Sequence, residues 1–482
     1  MKNHSNLISF LKKNYNTENF IRYVDTQGKK LRSNLYYEQY EKLLRTFDEN
    51  KINTLSLLKN GQFKFLPFKV RIIPVKNDKV RKVCILDVSD IYLDKLFFQY
   101  LKSLSQFSPN KDVHSITINI KQSIKKDYQF YLRIDIKKFF ENIDHAILLN
   151  LINLYNDQPL FNIIESFIKT PWVLDEKSQL EENKIGVPAG SAISQELSNI
   201  YLSKFDKVIF SYSKNNDCIY YRYTDDICLL SKEEIKINAV KKLIEEELLN
   251  LKLEVNNEKL SIGNVNYGFQ YLGFKHFNNQ IHLSKDSINY IKRNMIKFYK
   301  NIFLKSKNDS DKNKYSTNFR SGYNFWRLLS LMINSAIRGY NYHNKFELNV
   351  KEKDNIYGLA RYMCIVDNHK QIYNLDKWLH KLNKYYSYKI CESVNCPKIL
   401  PEIESLYNWF FRYKKDPKAA IRLAKNKLSN RIYFNESDEK LNNEYIQMNS
   451  RNYVVIEDYY EDYYEDSDYK ELYEIPTNFN IS

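Results

Sequence analysis

The sequence predicts an α+β protein, with a strand-bearing middle framed by helices, and three features of the chain point that way. Aromatic and β-branched runs near residues 63–86, 128–136 and 218–230 have the pattern of strands. Between and after them, apolar residues recur at helical spacing up to about residue 450. Residues 451–482 differ in kind: Tyr alternates with Asp and Glu, and little there could build a core.

The chain has 482 residues, too many for one small core, so two or three packed units are expected. Lys and Arg number 74 against 58 Asp and Glu, a net charge of +16. Such a surplus suits a polyanion, nucleic acid before membrane. No apolar run approaches the ~18 residues of a membrane-spanning helix. Met1 to Asn14 lacks the apolar run of a targeting segment, so a cytoplasmic protein is expected. Cys84, Cys218, Cys228, Cys364, Cys391 and Cys396 are scattered, with no paired motif at zinc-site spacing. They read as reduced thiols.

The elements follow in order. Residues 1–60 form short amphipathic helices, the first with Leu7, Phe10 and Leu11 on its apolar stripe. FKFLPFKVRIIPV and VRKVCIL give two strands about a turn at Asn77 and Asp78. A helix spans about 89–104, YQFYLRIDI is a strand, and 139–154 is largely helical. After GVPAG comes a long helix whose apolar face includes Ile193, Leu197, Ile200, Tyr201 and Phe205. CIYYRYTDDICLL is a hairpin, 232–251 a helix, and a last strand pair surrounds 271–277.

Three aspartates carry the chemistry. Asp135 ends a strand, and Asp225 and Asp226 are adjacent at the tip of a tight hairpin. Neither member of the pair has a neighbouring lysine, and like charges so close repel unless a cation sits between them. Hard divalent ions with oxygen ligands answer that need. A third carboxylate from a neighbouring strand would complete a site for two Mg²⁺ ions, one activating a hydroxyl and the other neutralising a triphosphate.

These segments resemble the palm of reverse transcriptases over about residues 65 to 345, in the family's own order. RIDIKKFFENIDH resembles motif A, GVPAGSAISQELSNIYLSKFD motif B and YRYTDD motif C. NNEKLSI is similar to motif D and YLGFKHF to motif E, the primer grip. VRIIPVKNDKVRKVCIL resembles the fingers strands, and LMINSAIRGYNYHN the start of the thumb.

The resemblance implies a right-hand polymerase: N-terminal helices and fingers at 1–130, palm at 131–280 with an antiparallel sheet, thumb at 281–345. A mostly α-helical C-terminal domain at 346–450 and the acidic tyrosine-rich tail at 451–482 follow. It implies catalysis by Asp135, Asp225, Asp226 and Lys259, the last protonating pyrophosphate. The implied metal ligands are Asp135, Ile136, Asp225 and Asp226, for two Mg²⁺ ions that Mn²⁺ can replace.

Phe140, five positions after Asp135, would exclude a 2′-hydroxyl, with a core phenylalanine as the alternative. Gly190 would let the backbone approach nucleotide or template, with Ala189 where the family often has glutamine. Arg71, Lys76 and Arg81 would hold the triphosphate, with solvated strand charges as the alternative; Lys82 lies on the same hairpin. Tyr340 and Tyr342 would stack on primer–template or pack in a core.

The layout after residue 345 resembles the defence-associated, abortive-infection reverse transcriptases of bacteria. That implies a noncoding RNA template, a DNA product, dNTP substrates, an antiphage role and homo-oligomers. Tyr459, Tyr460, Tyr463, Tyr464 and Tyr469 are then candidates for a priming hydroxyl, a solubilising tail or acidic strap being the alternative. Other readings remain: a retron- or intron-type enzyme, an RNA-dependent RNA polymerase, or a catalytically idle nucleic-acid-binding scaffold.

Overall fold

The computed structural model describes residues 6–27, 42–74, 80–104, 112–173, 182–307, 359–394 and 403–416, with isolated positions near 333–337 and 418–423. Two compact units are present. The first comprises residues 1–73, 80–272 and 276–279, and the second 74–79, 273–275 and 280–482. Among the described residues no helix is long and apolar enough to cross a membrane.

The first unit begins with helices Leu7–Asn14, Thr17–Gln27 and Phe47–Lys59. Asn6 caps the first, and the predicted stripe is inward, with Leu7 and Leu11 fully buried. Strands β1 (Phe68–Pro74) and β2 (Val80–Ile85) join a short strand β4 (Trp172–Val173), which lies parallel to β1. Their apolar side chains meet helices Val88–Leu104 and Gln158–Lys169 in an aromatic knot. Phe167 stands at its centre, 5.1 Å from Phe65 and 5.4 Å from Phe68.

The central sheet is antiparallel, in the order β5 (Cys218–Tyr223), β6 (Asp226–Ser231), β3 (Phe130–Asp135), β7 (Ser261–Asn264). Every residue of β6 is buried, because both sheet faces are covered and side chains alternate between them. Ile227 and Leu229 join Leu132 and Ile134 in the large core that includes helix Glu234–Asn250. Cys228 and Leu230 join Tyr131 and Tyr221 on the other face, against Ile116, Ile120 and Phe269. The helix behind that second face, Val113–Ile124, has no counterpart in the sequence reading, nor has Gln158–Lys169.

The expected long helix after GVPAG is two, Ala192–Tyr201 and Ser203–Asn215, meeting at Leu202. Its predicted apolar residues Ile193, Leu197, Ile200, Tyr201 and Phe205 are all buried. Strands β8 (Phe269–Tyr271), β9 (Phe274–Phe277) and β10 (Gln280–Leu283) follow where the chain passes from the first unit to the second.

In the second unit, helix Lys285–Lys307 packs along helix His369–Val394. Tyr299 stacks on Tyr386 at 5.4 Å and its hydroxyl donates to Asn383 Oδ1 at 2.8 Å. Buried Asp376 accepts from Leu406 N and Ser405 Oγ, each at 2.8 Å, fixing the start of helix Leu406–Lys415. The thumb-like segment LMINSAIRGYNYHN, with Tyr340 and Tyr342, lies largely outside the described residues. Cys84, Cys218, Cys228 and Cys364 are free thiols, as expected, and Cys396 lies outside the described residues.

Phe167 carries the packing between the small sheet and the helices. Truncating it to alanine leaves a cavity among rings that cannot collapse, so Phe167→Ala should destabilise the protein by about 3–5 kcal/mol, read by urea denaturation.

Candidate active site

Strand register brings the three aspartates together. β3 and β6 pair so that Asp135 lies directly opposite Asp226. The next amide, Ile136 N, donates to Asp225 O at 3.2 Å. Thr224 and Asp225 form a two-residue turn between β5 and β6, in which Thr224 takes a left-handed φ of 53°. A β-branched residue pays for that conformation in strain, and such strain gathers at functional sites. Thr224 Oγ1 donates to Asp225 Oδ1 at 2.9 Å. Asp135 and Asp226 are 4% and 3% exposed, and Asp225 is half-buried.

The segment after helix Glu234–Asn250 completes the site. Asn256 N donates to Asp135 O at 2.8 Å and Lys137 N to Glu254 O at 2.9 Å, laying that segment along the end of β3. Asn256 Nδ2 then donates to Asp135 Oδ2, and Lys259 Nζ to Asp135 Oδ1, both at 2.8 Å. Lys259, named from sequence for proton donation, therefore stands on the first aspartate.

The sequence reading gave the pair no neighbouring lysine, yet Lys259 lies near enough to lower the Asp226 carboxyl, and Arg133 contacts it directly. Its Nη2 donates to Asp226 Oδ1 at 3.3 Å and its Nη1 to Gln270 O at 3.2 Å. The reason is β alternation: Arg133 is two residues before Asp135 and shares its face. That signal was in the sequence. For Asn256 only the structure supplies one.

Electrostatics favour a further cation here. Burial, then Asp226, then Asp135 push the Asp225 carboxyl up to about 6. Burial also raises Asp226, against the pull of Arg133. Among the described residues no three Asp, Glu, His or Cys side chains stand grouped so as to hold an ion, with Asp135 engaged by Lys259 and Asn256. The donor set still fits a hard divalent cation: it is all oxygen, it sits on adjoining strand ends, and its repulsion is not fully offset.

The other named residues divide. Phe139 is buried in the core, whereas Phe140 is half-buried beside it, its carbonyl accepting from Val187 N at 2.8 Å. Gly190 has φ 103°, and a Cβ there would meet Cys84 O and Val83 Cγ1 at 2.8 Å. The close approach that needs glycine is thus to β2, reinforced by Cys84 N donating to Ala189 O at 2.7 Å. Arg71 is exposed on β1. Lys76, the side chain of Arg81, and Tyr459, Tyr460, Tyr463, Tyr464 and Tyr469 lie outside the described residues.

The raised pKa of Asp225 makes stability depend on pH. Its folded value, about 6, exceeds the ordinary 3.8, so the folded state binds the proton more tightly. Ionised Asp225 then costs stability above pH 6, and that cost fades as pH falls from about 6 to about 4. Asp225→Asn should stabilise the metal-free protein by about 1–3 kcal/mol at pH 7 and by nothing near pH 4, read by thermal melts across pH.

Residues 73–276 match the family model described as reverse transcriptase (RNA-dependent DNA polymerase). The group II intron-encoded protein LtrA of Lactococcus lactis subsp. cremoris is 28% identical over 209 residues, 37% of this chain and 34% of that protein. Protein YkfC of Escherichia coli K12 is 22% identical over 263 residues, 45% of this chain and 68% of its own. A solved structure, apo telomerase from Candida tropicalis, aligns with 84% of this chain and 74% of its own at 11% identity and a TM-score of 0.41. The chain spans about a third of the length of its intron-encoded relative LtrA. By the family match, the stretch that carries Asp135, Asp225 and Asp226 is a reverse transcriptase domain.

Proposed function

We propose that this chain is an RNA-directed DNA polymerase whose centre is Asp135, Asp225 and Asp226. The register that sets Asp135 against Asp226 carries the reading, since it gathers three carboxylates at one edge of the matched domain. Two divalent ions, Mg²⁺ by preference, would be held by Asp135, Asp225, Asp226 and the Ile136 carbonyl, and would supply charge neutralisation and an activated primer hydroxyl.

The chain's own residues do the rest. Lys259 is 57% exposed at its side chain, so it can leave Asp135 and give a proton to the departing pyrophosphate. Phe140, at the rim rather than in the core, excludes a 2′-hydroxyl. Gly190 ties the loop before helix Ala192–Tyr201 to β2, and with it the strands that carry Arg71 and Arg81, which with Lys76 would meet the triphosphate. Helix His369–Val394 turns Lys377, Lys381 and Lys389 outward, while Asp376 is buried. That charge suits template RNA or product DNA, with the salt dependence of counterion release.

Within this reading we place the chain among antiphage reverse transcriptases copying a noncoding RNA, with a tail tyrosine as a candidate primer. The helices described after residue 345, His369–Val394 and Leu406–Lys415, support it. The intron-encoded relatives favour a second reading, an intron-type enzyme. Sequencing the RNA and DNA that co-purify with the protein separates them: intron RNA sinks the first reading and a dedicated noncoding RNA the second.

An Asp225→Asn/Asp226→Asn double variant should fold yet retain less than about a thousandth of wild-type dNTP incorporation on an RNA template. Phe140→Ala should lower the preference for dNTP over rNTP about ten- to a hundredfold, measured by single-nucleotide incorporation. Equal use of both nucleotides by the wild type would count against the DNA polymerase reading.

A further inference from the structure

Behind the turn that presents Asp225 lies an ion pair with no contact to the proposed reaction. Arg222 is 0% exposed and Asp206, on helix Ser203–Asn215, is 1% exposed. Arg222 Nε donates to Asp206 Oδ1 at 2.7 Å and Nη2 to Asp206 Oδ2 at 2.5 Å, a two-pronged contact. Tyr220, two residues earlier on β5, donates from its hydroxyl to the same Oδ1 at 2.6 Å. The remaining guanidinium nitrogen, Nη1, donates to Thr224 O at 2.8 Å and reaches Asn199 Oδ1, on helix Ala192–Tyr201, at 3.5 Å.

A buried ion pair is weak evidence for stability, because desolvation consumes most of its attraction. An apolar pair of similar volume would serve the core as well. What an apolar pair cannot do is hold a carbonyl. Thr224 O belongs to the residue strained at φ 53°, immediately before Asp225. A strained turn persists only when its surroundings over-determine it. Arg222 supplies that restraint, and Asp206 and Tyr220 fix the planar guanidinium so that its last N–H points at the turn.

We infer that Arg222, oriented by Asp206 and Tyr220, is a positioning residue that sets the Asp225 carboxylate for cation and nucleotide. The inference rests on the reading of Asp225 as a catalytic ligand and assigns the control of its geometry to a buried network spanning β5 and the two helices after Gly190.

The test replaces the network by apolar side chains of similar size, Tyr220→Phe/Asp206→Leu/Arg222→Met. Three quantities are read beside the wild type: the thermal midpoint, the kcat and KM of dNTP incorporation, and Mn²⁺ affinity by electron paramagnetic resonance without nucleic acid. The expected result is a folded protein with KM within about twofold, kcat down about a hundredfold, and Mn²⁺ bound about tenfold more weakly. Arg222→Lys is the companion should the triple variant fail to fold. It keeps the charge beside Asp206, but one ammonium cannot serve both Asp206 oxygens and the turn, so kcat and Mn²⁺ affinity should again fall. A folded variant with wild-type kcat and Mn²⁺ affinity overturns the inference. A wild type without incorporation overturns the polymerase reading instead, and the Mn²⁺ comparison then decides the role of Arg222 by itself.

Discussion

The pairing of β3 with β6 is the constraint on which the rest depends. A strand has a period of two, so a slip of one residue would turn Asp135 into the core that holds Leu132 and Ile134. The register is fixed by burial on both faces: Ile227 and Leu229 must meet one core, and Cys228 and Leu230 the other. Apolar packing along the strands thus forces together, at their ends, three carboxylates that repel one another. The fold creates the charge problem, and the neighbouring residues are arranged around it.

The two basic side chains at the site answer that problem differently. Arg133 is 27% exposed and its guanidinium is divided between Asp226 and the Gln270 carbonyl. Breaking that contact would leave a buried carboxylate with less of its compensation, so Arg133 is a fixed counter-charge. Lys259 contacts buried Asp135 from a flexible stem that is itself in solvent, so the lysine can leave without being desolvated. Asn256, anchored by its own backbone, keeps the segment in place when Lys259 moves. Asp226 thereby has a fixed but partial counter-charge and Asp135 a provisional one, which leaves the three aspartates open to a cation of higher charge.

Much of this was legible in the sequence, for physical reasons that can be named. The hairpin CIYYRYTDDICLL and the strand YQFYLRIDI are uninterrupted β patterns, and they appear at those positions. The stripe through Ile193, Leu197, Ile200, Tyr201 and Phe205 identified a buried face but not the break at Leu202, since periodicity barely registers one irregular residue. Helix Val113–Ile124 escaped notice because its inward residues Ile116, Thr117, Ile120 and Ser123 mix polar with apolar, which weakens the stripe. At the site, the aspartates announce themselves as a like-charge cluster. Arg222, Asp206 and Asn256 do not, because their meaning lies in partners 16 and 121 residues away.

The helix that follows Gly190 shows how the same economy shapes phosphate recognition. A free helix N-terminus is an anion site, with unpaired amides and a favourable dipole. Here Asp94, from helix Val88–Leu104, takes those amides: Ala192 N at 2.9 Å and Ile193 N at 3.1 Å, with Ser191 Oγ at 2.5 Å. Burial raises the Asp94 carboxyl even against these three donors, and the amides it occupies are no longer open to another anion. A triphosphate would find those two amides already taken. On the proposed function, phosphate recognition would fall to side-chain cations of the fingers hairpin and to metal at the aspartates, while the Asp94 cap fixes helix Ala192–Tyr201 to helix Val88–Leu104.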